Sequence, residues 1–179
     1  MEQTANAILG RAIRVAKLDL PVFREIARDV LATKQAAIVV AVVALASGIG
    51  ALSDSFGRVV VSIIGAFLGW LIFSAMTYFF GKNIFGTPTT EVNVETLMRT
   101  QGFAQAPNVL AFFGFIPVLG WLVAFIGSIW ALVTAIVAIR ETLRISTGRA
   151  IVVGIIAVIA TGIVMAIIAL IFGVGYAFT

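Results

Sequence analysis

The chain has 179 residues, of which 61% are hydrophobic and 11% are charged, and its formal net charge is +4. This composition excludes a soluble globular domain and predicts an integral membrane protein. The absence of Cys and His excludes disulfides, thiolate catalysis and zinc sites built on these side chains. All acidic residues lie outside the apolar stretches, so an intramembrane aspartate protease or a carboxylate proton relay has no residues to use. We therefore expect a protein that is not an enzyme, with no catalytic residue, no metal and no cofactor.

Residues 1–34 form a region with helical periodicity and mixed charge, which we predict to be cytoplasmic. One amphipathic helix is expected over residues 4–18, and a second begins where Asp19 precedes Pro21, as helix starts often do. The polar faces carry a set of basic side chains: Arg11, Arg14, Lys17, Arg24 and Arg28. Two interpretations stay open, an interfacial helix pair on a lipid surface or a docking surface for a partner protein.

Residues 35–179 form the predicted membrane domain. The longest charge-free stretch lies between Arg99 and Arg140 and is about twice the ~20 residues that cross a bilayer. Pro117 and Gly120 near its middle predict a helical hairpin with a break at this point. With the other charge-free stretches, the predicted spans are residues 35–53, 59–81, 106–116, 119–139 and 150–173. The expected fold class is an all-α integral membrane protein, a five-span helical bundle with N-terminal amphipathic interfacial helices.

The distribution of basic residues predicts the orientation of this bundle. Arg58 is alone in its connection, whereas the N-terminal segment and the connections at 82–105 and 140–149 hold the other Lys and Arg residues. Basic residues in short loops stay cytoplasmic. The N-terminus is therefore expected inside and the C-terminus outside. Positive charge at a membrane surface attracts anionic headgroups, so the net charge does not indicate a nucleic-acid partner.

Small residues indicate where helices approach closely. Gly65 and Gly69 form a GxxxG pattern, which we assign either to packing inside the monomer or to a dimer face. Ala131 and Ala135 give the fourth span a small-residue face. The polar connection is expected to hold a short helix that Asn93 caps.

Gly102 is expected to end that short helix in a left-handed conformation. Pro107 then begins the third span, at a position where its missing N–H costs least.

Two segments carry a resemblance to a known family. They are Gly81–Gly86 and Leu97–Pro107, the second with Gly102, Phe103 and Pro107 in a Gly–aromatic–small step followed by Pro. Together with the hairpin and the last span, they resemble the Yip1 family of small five-span membrane proteins. The compact N-terminus is similar to that of bacterial-type members, and this resemblance implies a bacterial inner (plasma) membrane.

Three functions are compatible with these features. The first is a non-enzymatic, Yip1-like membrane organiser or scaffold, whose partners are membrane lipid and other membrane proteins or copies of itself. The second is an accessory subunit of a larger membrane complex. The third is a small-solute transporter or channel, which is disfavoured because the spans carry no charge to coordinate an ion.

Overall fold

The computed structural model describes residues 2–50, 56–86 and 92–173, and every regular element in these ranges is helical. The α-helices are α1 Glu2–Ala16, α2 Leu20–Arg28, α3 Ala32–Gly50, α4 Phe56–Asn83, α5 Val94–Ala104, α6 Leu119–Leu143 and α7 Thr147–Phe172. A 3-10 helix, Ala106–Phe115, lies between α5 and α6. The predicted all-α fold class is confirmed. The last residues of the first predicted span, 51–53, lie outside the described residues.

Among the described residues, four helices are long and apolar enough to cross a membrane: Ala32–Gly50, Val59–Asn83, Leu119–Leu143 and Thr147–Phe172. The predicted third span, 106–116, differs from these because it forms the shorter 3-10 helix. Ten residues at a 3-10 rise of about 2.0 Å cover roughly 20 Å, against a hydrocarbon thickness of ~30 Å. The structure therefore has four full-length candidate spans and one short apolar segment, and the count of five full spans is not reproduced.

The 3-10 helix runs antiparallel to α6, from beside Thr134 to the first turn of α6. The hydroxyl of Thr134 donates to the carbonyl of Ala104, 2.6 Å away, where the segment begins. A Cβ added to Gly127 would lie 3.1 Å from the Pro107 carbonyl, and one added to Gly120 would meet the Phe113 and Gly114 carbonyls. The turn at Ile116–Val118 then reverses the chain.

Long-range contacts bring most of the basic residues to one end of the bundle. Arg24 of α2 reaches Glu141 near the end of α6, and Arg99 of α5 reaches Thr33 at the start of α3. The start of α4 lies at the opposite end, beside Gly48. We call the end formed by α1, α2, the start of α3, the ends of α4 and α6 and the start of α7 the basic end.

The apolar faces of α1 and α2 pack on the bundle. Val15, Val22, Phe23 and Ile26 are fully buried in one hydrophobic cluster with residues of α3 and α5, including Phe103. The amphipathic pattern of residues 1–34 therefore serves the protein core. Leu9 and Ile13 on α1 stay exposed.

Candidate functional site

An ion-pair network fixes α1 against α2 at the basic end. The Arg11 guanidinium donates to Glu25 at 2.9 Å, to Asp29 at 2.6 Å and to the amide oxygen of Gln35 at 2.7 Å. Arg14 donates to Asp19 at 2.7 Å and to the second oxygen of Glu25 at 2.8 Å. We call these residues the α1–α2 clasp. Two of the five basic residues predicted for a lipid or partner surface, Arg11 and Arg14, are thus engaged in the clasp, and a third, Arg24, pairs with Glu141.

The clasp changes the acidity of its carboxyl groups. Partial burial would raise the pKa of Glu25, but the hydrogen bonds from Arg14 and Arg11 outweigh it and lower the pKa below its ordinary 4.5. The hydrogen bond from Arg11 lowers the pKa of Asp29 below its ordinary 3.8, against a smaller effect of burial. Both carboxylates are therefore ionised at neutral pH, and the clasp is complete there.

A second ion-pair cluster joins α2 to the end of α6. The Glu141 carboxylate is almost fully buried, with 6% of its side chain exposed. Arg24 holds one of its oxygens, with Nε at 2.8 Å and a terminal nitrogen at 2.7 Å. Arg140 holds the other, with Nε at 3.0 Å and a terminal nitrogen at 2.8 Å. The carboxylate thereby bridges two guanidinium groups from elements that are distant in sequence.

A cleft of about 550 Å³ opens beside this bridge. Its lining residues are Arg24, Arg28, Arg140, Glu141, Arg144 and Ile145. Arg144 also ends α6 in a left-handed conformation, with φ of 53°. We call this the arginine cleft.

Helix α5 connects the basic end to the rest of the bundle. Asn93 caps it by accepting a hydrogen bond from the Thr96 amide at 2.8 Å. Arg99 is buried, and it donates to the Thr33 hydroxyl at 2.9 Å and the Ala27 carbonyl at 3.1 Å. These neutral oxygens satisfy donors that burial would otherwise leave unpaired.

A match between the chain and a family model identifies the family of this protein. The family model described as "Yip1 domain" matches residues 21–169. The chain belongs to the Yip1 domain family. No curated protein and no solved structure matches it. Together with the four candidate spans, the Yip1 domain makes the chain an integral, multi-pass membrane protein.

One of the predicted motif residues of the Yip1 domain, Gly102, lies at a close contact between helices. Gly102 is inside α5, where a Cβ would come within 2.7 Å of the Ala36 Cβ and 3.1 Å of the Trp70 indole nitrogen. The prediction that Gly102 ends the helix in a left-handed conformation is wrong, because α5 continues to Ala104 and Gly173 is the Gly with positive φ among the described residues. Gly is needed at position 102 because a Cβ there would prevent the close approach of α5 to α3. Phe103 is fully buried, and Pro107 stands in the first turn of the 3-10 helix.

The small-residue positions divide into two groups. A Cβ at Gly65 or Gly69 would meet no atom of the described residues within 4 Å, so no close helix approach is seen at this pair in that part of the chain. Packing inside the monomer and a face between copies both stay predictions. Ala131 is buried, and the carbonyl of Ala135 accepts from the Gln101 amide at 3.4 Å. The Ala135 carbonyl therefore faces α5.

The hairpin break lies where Pro117 and Gly120 predict it. The amide of Leu119 donates to the Pro117 carbonyl at 2.7 Å, and the amide of Gly120 donates to the Ile116 carbonyl at 2.8 Å.

Sequence reasoning missed the residues that organise the arginine cleft. In the sequence, Arg140 and Arg144 stand out only as basic residues of one connection, although their four-residue spacing would put both on one face of a continuing helix. Glu141 stands out only as an acid outside the apolar stretches. Its pairing with Arg24 joins residues 117 positions apart, and no local pattern indicates such a contact. Among the described residues, no three His, Cys, Asp or Glu side chains gather as metal ligands.

Proposed function

We propose that this Yip1-family protein is a non-enzymatic membrane organiser that gathers anionic lipid at a basic, cytoplasmic surface. Residues 1–34 lie along that surface, and residues 35–179 form the membrane domain. The N-terminus is inside, the C-terminus is outside, and the membrane is a bacterial inner membrane. The excess of basic residues in alternate connections supports this orientation.

One observation carries the proposal: the basic end keeps unpaired positive charge after its internal ion pairs are formed. In the described part of the chain, six exposed basic side chains have no acidic partner: Lys17, Arg28, Lys34, Lys82, Arg144 and Arg149. Each basic residue near an anionic membrane contributes ~1 kcal/mol to attraction of the surface.

The attachment of α1 and α2 to the bundle supports an organising role. The clasp and the buried faces of α1 and α2 anchor the backbone that carries Lys17 and Arg28. An anchored array attracts several headgroups to one place without the ordering cost that a disordered basic tail meets on binding.

The proposal is tested by lipid clustering. The full chain is reconstituted into vesicles that contain a trace of fluorescent phosphatidylglycerol or fluorescent phosphatidylcholine, and self-quenching is recorded as the protein-to-lipid ratio rises. We expect quenching of the anionic probe alone, with a decrease as salt screens the surface. Equal responses of the two probes, or none, would contradict the organiser. A stoichiometric membrane partner in mild detergent, with no lipid clustering, would instead favour an accessory subunit.

A further inference from the structure

The arginine cleft has the charge of an anion site. Four guanidinium groups and a single carboxylate line it, which leaves a large positive excess in a cavity of about 550 Å³. Like charges this close repel one another, and an anion among them removes that repulsion.

Glu141 organises the cleft without neutralising it. Arg24 and Arg140 each occupy one oxygen of its carboxylate through paired nitrogen contacts. Arg28 and Arg144 have no acid within ion-pair distance among the described residues. Two guanidiniums are therefore positioned by the protein, and two remain available for a ligand.

Arginine is the side chain best suited to phosphate. Its planar fork of donors matches two phosphate oxygens at once, and charge-assisted hydrogen bonds of this kind are about twice as strong as neutral ones. Arginines on two elements, α2 and α6, surround the cavity and can approach an anion from different directions.

The backbone at Arg144 is unusual for a residue that lines this cleft. Its φ of 53° is left-handed, a conformation for which glycine is the usual choice at a helix end. Leu18 and Val118 also have positive φ among the described residues, but of the three only Arg144 lines the cleft.

We propose that the arginine cleft is a defined binding site for a phosphate group, carried by an anionic lipid headgroup or by a soluble phosphate compound. The membrane location of the cleft rests on the proposed function, whereas phosphate binding itself requires only the fold. The proposed function requires only a general attraction of anionic lipid, whereas this inference specifies one site. Arg28 and Arg144 bind the phosphate group there, and Arg24 and Arg140 are the neighbours that Glu141 positions.

The test uses the full chain purified in a neutral detergent and three probes: inorganic phosphate, phosphatidic acid and phosphatidylcholine. Binding is followed by native mass spectrometry and by competition. We expect one phosphatidic acid molecule to bind with preference over phosphatidylcholine. Displacement by millimolar inorganic phosphate would support a site open to soluble phosphates, and resistance to it would support a headgroup site.

Three variants separate a site from a general surface charge. Arg28→Gln and Arg144→Gly each remove one proposed ligand, and each is expected to weaken binding about 10-fold or more, as loss of a charge-assisted hydrogen bond implies. Arg149→Gln makes the same change in charge on an exposed residue outside the cleft lining. It is expected to change affinity less than about twofold, because its charge acts only through solvent.

A loss of folding does not explain the expected loss of phosphate binding. Arg144→Gly relaxes a left-handed position, so its thermal stability is expected to equal or exceed that of the wild type while its affinity falls. Equal losses in Arg149→Gln and Arg28→Gln, or no preference for phosphatidic acid, would overturn the site. Lipid clustering in vesicles would still report on the proposed function, so the two failures are distinguishable.

Discussion

Substitution of Gly102 by Ala is expected to destabilise the protein, although Ala is the better helix former. The new Cβ would lie 2.7 Å from the Ala36 Cβ, against about 3.5–4.0 Å for a comfortable carbon contact. It would also crowd the Trp70 indole, which donates to the Met98 carbonyl at 2.9 Å. Overpacking of this kind costs roughly 1–3 kcal/mol.

Gly65→Ala is the matched control, because a Cβ at Gly65 meets no described atom within 4 Å. Both substitutions gain the same helix propensity, about 1 kcal/mol. The difference between their free energies of unfolding in detergent therefore measures the cost of the steric overlap between the new Cβ and Ala36. We expect Gly102→Ala to be the less stable variant by roughly 1–3 kcal/mol.

A double variant tests the named contact directly. Ala36→Gly removes the atom that the new Cβ would strike, so Gly102→Ala with Ala36→Gly should be more stable than the sum of the single effects by at least about 0.5 kcal/mol. Equal stability of Gly102→Ala and Gly65→Ala, with an additive double variant, would refute the close approach of α3 and α5.

Three further predictions concern the clasp, the buried arginine and the α4 face. The lowered pKa values of Glu25 and Asp29 mean that the clasp contributes stability above their ordinary values of 4.5 and 3.8 and loses it as the pH falls through the lowered values. The distance between spin labels at Leu9→Cys and Ile38→Cys should have a single narrow distribution down to these lowered pKa values, and the distribution should broaden at lower pH. An unchanged distribution when both carboxyl groups are fully protonated would contradict a stabilising role of the clasp. Arg99→Met should cost about 2–4 kcal/mol because it leaves the Thr33 hydroxyl and the Ala27 carbonyl without their donor. Glu95 pairs with Arg99 at 3.1 Å but its side chain is 64% exposed, so Glu95→Gln should cost less than about 1 kcal/mol. Similar losses of stability in the two variants would contradict the assignment of the larger contribution to the buried contacts of Arg99. Gly69→Ile should leave monomer stability within about 0.5 kcal/mol but reduce any self-association in detergent, and a large loss of monomer stability would place a helix against this face.

The sequence predicts elements set by local chemistry. Pro117 breaks the hairpin and Asn93 caps α5, since both depend on the conformation and hydrogen bonding of a few adjacent residues. The apolar stretches predict where α3, α4, α6 and α7 lie, because length and composition suffice for that. The third apolar stretch is an exception, because its composition predicts a membrane span but it forms a short 3-10 helix.

Contacts between helices that are distant in sequence determine the features that local patterns do not predict. The basic faces of α1 and α2 suggested a lipid surface, but the clasp uses Arg11 and Arg14 internally. Gly102 and Gly65 are equally small, yet only the first lies against another described helix, because the helix rotation that brings Gly102 to Ala36 depends on the whole bundle. The arginine cleft depends on an ion pair between α2 and α6, which no local pattern encodes.

The location of the basic end at the cytoplasmic surface is tested most directly by single-cysteine labelling. The chain has no native Cys, so Ser146→Cys reports the basic end and Leu119→Cys reports the hairpin turn at the opposite end. Right-side-out and inside-out membrane vesicles are treated with a membrane-impermeant maleimide. We expect Leu119→Cys to react only in right-side-out vesicles and Ser146→Cys only in inside-out vesicles. The reverse pattern would contradict the orientation, and reaction of both in one vesicle type would contradict the passage of the chain across the membrane between them.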